Sequence, residues 1–171
     1  ANTVIIFIGD NGSPGEVVQT PYDSNKAKGT LYQGGVHVPL IISGWGVSRK
    51  NEHDANLINS ADLFCTITEM TGATLPSYED SYSFKSLLSQ PGTVSRTHNY
   101  AEVLSAANPN KTGFTIRNER YKLIEFDVAP RRFYDLNDDP YEETSLLNMG
   151  LTVAEQTELD ALLLKAGEIR Q

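Results

Sequence analysis

The apolar positions come first as a continuous run and only later as alternations. Val4-Ile5-Ile6-Phe7-Ile8 runs without a polar interruption and stops at Gly9-Asp10-Asn11-Gly12. An uninterrupted apolar run bounded by turn residues predicts a strand buried on both faces, the kind found in parallel sheets covered by helices. A second strand is predicted over Val36 to Ser43, with Pro39 near its start, where a missing N–H matters least. From Asn59 the period becomes helical. Leu63, Phe64, Ile67 and Met70 share a face, with Ser60 as N-cap and Gly72 as the stop, and Leu75-Pro76 ends the segment. Phe84 to Leu88 predicts a short helix, and Gln90-Pro91-Gly92 a turn between two layers. Beyond it come short strands at 98–103, 113–117, 120–126 and 131–135, the middle pair joined at Asn118-Glu119. Tight turns between successive strands imply antiparallel pairing. Thr152 with Glu155 forms a capping box for a last helix whose stripe is Leu159, Leu162, Leu163 and Ile169. The pattern predicts an α/β fold. Residues 1–92 hold buried parallel strands with helices, and 93–171 a small antiparallel sheet with a C-terminal helix.

Composition narrows the partners. The 171 residues are enough for a real core, and 22 acidic against 14 basic side chains leave a net charge of −8. Such a surface repels phosphate backbones, which excludes nucleic acid as an expected partner. It also argues against a broad basic face for polysulfated chains, while leaving room for a local basic pocket. No apolar run approaches the ~20 residues of a membrane helix, and no basic n-region followed by an apolar stretch opens the chain. The single cysteine, Cys65, has no internal disulfide partner and falls beside the apolar stripe, as a small buried thiol does.

The candidate chemistry gathers near the first strand. Asp10 and Asn11 stand at its carboxyl end, where sites form in open α/β sheets, and offer a carboxylate and an amide oxygen, suited to a hard divalent cation. The same residues also make ordinary turns. Residues 13–30 form a loop of unusual length, rich in Ser, Pro, Gly, Asp and Asn, of the sort that wraps functional sites. Lys28 lies at its end and, taken alone, is a solvated lysine. Gly34-Gly35 permits a close backbone approach. His37, a lone strand histidine, stays outside the site. Asp135, Asp138 and Asp139 lack the spacing of a calcium loop and fit turn chemistry instead.

The order of these pieces is specific. Asp10-Asn11-Gly12, then Lys28-Gly29-Thr30-Leu31-Tyr32-Gln33-Gly34-Gly35-Val36 with Pro39 after it, then Tyr134-Asp135-Leu136 with Asp139-Pro140 and Glu142, resembles the sulfatase family. Ala61 to Gly72 also looks like the helix that follows in that family. The resemblance covers essentially the whole chain and is to the C-terminal part of a sulfatase, within the alkaline-phosphatase-like α/β fold. It implies that Asp10 and Asn11 are two ligands of an active-site calcium and that Lys28 contacts the sulfate ester. It also implies an upstream Cys/Ser-x-Pro/Ala-x-Arg motif, converted to formylglycine, which this sequence lacks. Cys65, followed by Thr66-Ile67-Thr68-Glu69, does not fit it.

A segment of this kind is expected to act on a small-molecule or glycan sulfate ester together with the remainder of the sulfatase chain, and to be inactive alone. Periplasmic, secreted or lysosomal placement accompanies the family. The alternatives are a phosphonate or phosphate ester hydrolase of the same superfamily, and a non-catalytic module binding calcium or sulfated glycan.

Overall fold

The computed structural model describes residues 2–74, 78 and 80–171; Leu75-Pro76, where the sequence ends its first helical segment, lie outside them. The chain divides into two compact units, Ala1–Ile8 with Pro39–Asn99, and Gly9–Val38 with Tyr100–Gln171. A boundary drawn once along the sequence cannot express this division, because the chain crosses after Ile8, after Val38 and after Asn99.

In the first unit β1 (Val4–Ile8) pairs with β2 (Leu40–Gly44), Ile6 opposite Ile42 and Phe7 opposite Ile41. The pairing is antiparallel, which corrects the parallel neighbour expected for β1. A continuous apolar run says that both faces avoid water, but not which strand lies alongside. Leu40 and Ile42 pack with Phe84, Leu87 and Leu88 and with Leu63 and Met70. The opposite face of the pair carries Ile5, Phe7 and Ile41, each more than half exposed. One face of the run is therefore covered by this unit and the other is not.

The first full helix, Asp62–Thr71, ends at Gly72 in the left-handed conformation, as the sequence indicates. Its start is not capped by Ser60. Asn59 Oδ1 accepts the Ala61 N–H, and Asp62 Oδ2 accepts the Asn59 N–H at 2.7 Å, so the turn closes one residue either side of the expected cap. Phe64 and Ile67 remain exposed on this helix while Leu63 and Met70 face inward. Asp62 is buried, and its two oxygens take Arg96 at 2.7 and 2.5 Å and the Tyr82 N–H at 2.8 Å.

In the second unit the sheet order is β3 (Asn99–Val103), β4 (Gly113–Arg117), β5 (Tyr121–Phe126), β6 (Arg132–Asp135), with β4–β5 and β5–β6 antiparallel. Asn118 makes the β4–β5 turn work, its Oδ1 accepting the N–H groups of Arg120 and Tyr121 at 2.9 and 2.7 Å. A C-terminal helix, Val153–Ile169, opens on the predicted Thr152–Glu155 capping box. It buries Leu159, Leu162 and Ala166 against Phe114, Ile116, Tyr121, Leu123 and Phe133. Ile169, assigned to its stripe by spacing, is exposed, and Ala166 takes the buried position. Alternation along β5 sends Tyr121 and Leu123 to the helix and Lys122 and Ile124 to the other face, where Leu31, Tyr134 and Leu136 complete a second cluster.

Asp62 is the polar keystone of the first unit, so Asp62→Ala is expected to lower stability by about 3–5 kcal/mol, because it leaves a largely covered guanidinium and two backbone N–H groups without their acceptor. Urea unfolding read by circular dichroism measures it; a loss under about 1 kcal/mol contradicts this role, being the size of an exposed pair.

Candidate functional site

The candidate site residues Asp10, Asn11 and Lys28 all fall in the second unit. Asp10 and Asn11 occupy an exposed turn, with Asp10 Oδ1 accepting the Asn11 N–H at 3.0 Å. The next two residues are fixed by main-chain bonds. Gly12 N–H donates to the Gly35 carbonyl at 3.1 Å, and the Lys28 N–H donates to the Ser13 carbonyl at 3.1 Å. The strand-end turn, the Lys28 turn and the Gly34-Gly35 segment are thus held together by backbone alone. Both side-chain ends of interest, the Asp10-Asn11 oxygens and the Lys28 ammonium, stay exposed beside these links.

Glycine is required at this junction for space. A Cβ on Gly12 would lie 1.9 Å from the Gly34 carbonyl oxygen, and one on Gly35 would lie 2.2 Å from the Thr30 carbonyl oxygen. Gly34-Gly35 is legible in the sequence as a close approach; Gly12, hidden in a turn signature, is not. The loop of residues 13–30 is ordered by two 3-10 turns, Gly15–Val17 and Ser24–Lys26, the second capped by Asp23 accepting the Asn25 N–H at 2.8 Å.

Residues Gln33–Val36 form a single helical turn, α1. This corrects the strand predicted from Val36. The glycine pair allows a tight turn, His37 N–H closes it on the Gln33 carbonyl at 2.8 Å, and extended strand begins only after Pro39. His37 is therefore a turn residue. Desolvation, followed by the charges of Arg117 and Lys122, lowers its pKa, so the ring is neutral at neutral pH.

Four residues that sequence reasoning left without a site role, Lys26, Gln33, Lys122 and Glu142, support this region. Lys122 and Glu142 are both buried, with Lys122 Nζ 2.6 Å from Glu142 Oε1. Glu142 Oε2 accepts the Gln33 N–H at 2.6 Å, and the Glu142 carbonyl accepts from Lys26 Nζ at 2.5 Å. A lysine inside the apolar strand Tyr121–Phe126 was the available signal, since a fully buried lysine demands a partner.

Asp10 and Asn11 supply hard oxygen of the type calcium takes, but calcium takes ~6–8 such ligands. Among the described residues no three His, Cys, Asp or Glu side chains gather as a metal site. The donor types of Asp10 and Asn11 fit calcium, and two residues fall short of that ligand number. Asp135 and Asp139 are engaged otherwise. Arg120 reaches Asp135 at 2.5 Å, and Asp139 accepts the Glu143 and Thr144 N–H groups, which is turn chemistry. Cys65 sits in the helix Asp62–Thr71 of the first unit, where its own N–H donates to Ser81 Oγ.

Known proteins resemble this chain in sequence and fold. Residues 25–167 match the family model of the N-sulphoglucosamine sulphohydrolase C-terminal region. A sulfatase of Formosa agariphila is 31% identical over 85% of this chain and 29% of its own length. Arylsulfatase K of Canis lupus familiaris is 26% identical over 85% of this chain and 28% of its own length. The solved structure of BT4656 in complex with its substrate D-glucosamine-2-N,6-O-disulfate superimposes with a TM-score of 0.74 at 22% identity, over 98% of this chain and 34% of that one. The chain thus spans under a third of the length of these curated relatives.

The glycine junction is directly testable. Gly12→Ala forces backbone apart and is expected to cost about 1–3 kcal/mol. Gly92→Ala, whose Cβ would meet only the Leu87 side chain at 3.9 Å, serves as the control. Urea unfolding that ranks the two variants equally contradicts the crowding at Gly12.

Proposed function

Because this chain belongs to the sulfatase family, we propose that it is the part of a sulfuric ester hydrolase that brings two calcium ligands, Asp10 and Asn11, and one sulfate-binding lysine, Lys28. The observation that carries this reading is the pair of main-chain bonds joining Gly12 to Gly35 and Lys28 to Ser13. They hold a hard-oxygen turn and a lysine turn side by side, which is what an ester carrying a sulfate next to a cation requires.

Cleavage of a sulfate ester needs a nucleophile, a charge to draw electron density from the sulfate oxygens, and donors aimed at the transition state. Calcium, when bound, supplies the second of these. Asp10 and Asn11 would hold it from this side, with the remaining oxygens coming from elsewhere. Lys28 serves the third, a compact ammonium on a flexible stem that follows the sulfate as charge builds on it. The formylglycine-forming motif is not in this sequence, so the chain by itself is proposed to be inactive. The uncovered face of Ile5, Phe7 and Ile41 supports a requirement for further polypeptide, since an apolar strand face is rarely left to water.

The substrate class proposed is a sulfated glycan or aminosugar. BT4656, bound to a glucosamine disulfate, supports it by fold likeness. The net charge of −8 fits a substrate held by a local cation and Lys28, where a long polyanion would need a basic face.

Assays of the 171-residue chain with aryl and aminosugar sulfates are expected to give no turnover. Calorimetry with calcium is expected to give a Kd of about 10⁻⁴ M or weaker, as for sites short of ligands. Turnover by the isolated chain overturns the missing-nucleophile reading, and submicromolar calcium binding favours a self-sufficient binding module. In the full natural protein, Lys28→Ala is expected to reduce kcat/KM by about 10²-fold or more; an unchanged value removes Lys28 from the site.

A further inference from the structure

The polar groups that the proposed reaction does not use converge on one residue. Glu142 is buried to within 1% of complete, yet it is a carboxylate at a left-handed φ of 58°, a conformation that a non-glycine residue adopts only when its surroundings hold it there. Each of its oxygens meets a separate element. Oε1 faces Lys122 Nζ from β5 at 2.6 Å, Oε2 takes the Gln33 N–H that opens α1 at 2.6 Å, and the main-chain carbonyl takes Lys26 Nζ at 2.5 Å. Lys122 Nζ also reaches Gln33 Oε1 at 3.4 Å, and Lys26 Nζ lies 5.4 Å from the Tyr32 ring centre. The segment held at both ends is Lys26–Gln33, with Lys28 inside it. Two residues beyond Gln33, the Gly35 carbonyl takes the N–H of Gly12, the neighbour of Asn11.

We infer that Glu142 is a positioning residue, whose three oxygens fix the Lys26–Gln33 segment and, through Gly35 and Gly12, the Asp10-Asn11 turn in the geometry needed for sulfate. The inference rests on the proposed roles of Lys28, Asp10 and Asn11 for its purpose, while the clamp itself stands on geometry. A plain packing role would not account for the choice of an ionic pair. Burial alone favours an apolar side chain at both positions, and a buried ion pair is often no more stabilising than hydrophobic replacements of similar size. What the carboxylate does that leucine cannot is accept the Gln33 N–H through Oε2 while pairing ionically with Lys122 through Oε1. Burial, the larger effect, pulls the Lys122 pKa down to about 8 despite the attraction of Glu142.

Amide hydrogen exchange on the intact 171-residue chain separates positioning from stability. The double variant Lys122→Met with Glu142→Leu removes both buried charges together and so is expected to stay folded, with exchange in β4, β5 and the C-terminal helix unchanged. Exchange at Gly12, Lys28 and Gln33 to His37 is expected to rise by about tenfold or more, the equivalent of a lost charge-assisted bond. In the wild-type chain the Gln33 amide proton should resonate downfield, as for a donor to carboxylate, and should move upfield in the double variant. Unchanged exchange across Gly12 to His37, or a rise equal to that in β5, overturns the clamp. In the full natural protein the same double variant is expected to lower kcat by about tenfold, with a smaller change in KM. If exchange rises but the full protein's kcat is untouched, the clamp stands and the assignment of the Lys28 turn to the site fails.

Discussion

A carboxylate cut off from water has to be answered at each oxygen, or its burial costs several kcal/mol. Glu142 meets that demand from three directions, and the demand shapes the second unit. It calls for a buried lysine in β5, between Tyr121 and Leu123. It explains why α1 starts at Gln33, whose N–H is spoken for. It also draws the loop that follows β1 onto the face of the sheet opposite the C-terminal helix, where Leu31 and Tyr32 join Ile124, Tyr134 and Leu136. Three lysines sit in or next to this arrangement. Lys26 and Lys122 are committed to Glu142, and Lys28 stays exposed between them in sequence. Local partners, rather than the acidic balance of the whole chain, thus decide which ammonium is available to a ligand.

Much of this was legible residue by residue. The four short strands fall within a residue or two of their expected bounds, and Thr152–Glu155 caps the last helix as its spacing predicts. These are local effects, carried by alternation and by a box four residues long. The sulfatase assignment was legible for a different reason, because it rests on the order and spacing of several short motifs rather than on overall identity, which is a quarter to a third. What stayed hidden depends on distant partners. The β1–β2 pairing joins residues more than thirty positions apart, and Lys122 and Glu142 acquire meaning only from Gln33, 89 and 109 positions away. Val36 was read as strand because β-branched residues favour strands, and the Gly34-Gly35 turn overrode that preference.

The first unit follows different rules. Its core is a patch of leucines, Phe84 and the inner face of β1–β2, and the pair of buried Asp62 with Arg96 fastens a helix start to the segment that follows Asp80, whose carbonyl Arg96 also reaches. There the buried acid is answered by an arginine whose fork satisfies both oxygens, which is the geometry arginine offers and lysine does not. In the second unit the partner is lysine, whose ammonium lies 2.6 Å from Glu142 Oε1 while Oε2 accepts the Gln33 N–H.

The three crossings of the chain carry a consequence for anyone who would shorten it. Neither unit is a contiguous stretch. A piece made of Pro39–Asn99 leaves β2 without its partner strand, and a piece made of Tyr100–Gln171 leaves Lys122 and Glu142 facing the gap where Gln33 belongs, with Leu31 missing from the cluster beside them. The two units are compact in space but interleaved along the sequence, so a single cut after Val38 breaks both of them and one after Asn99 breaks the second.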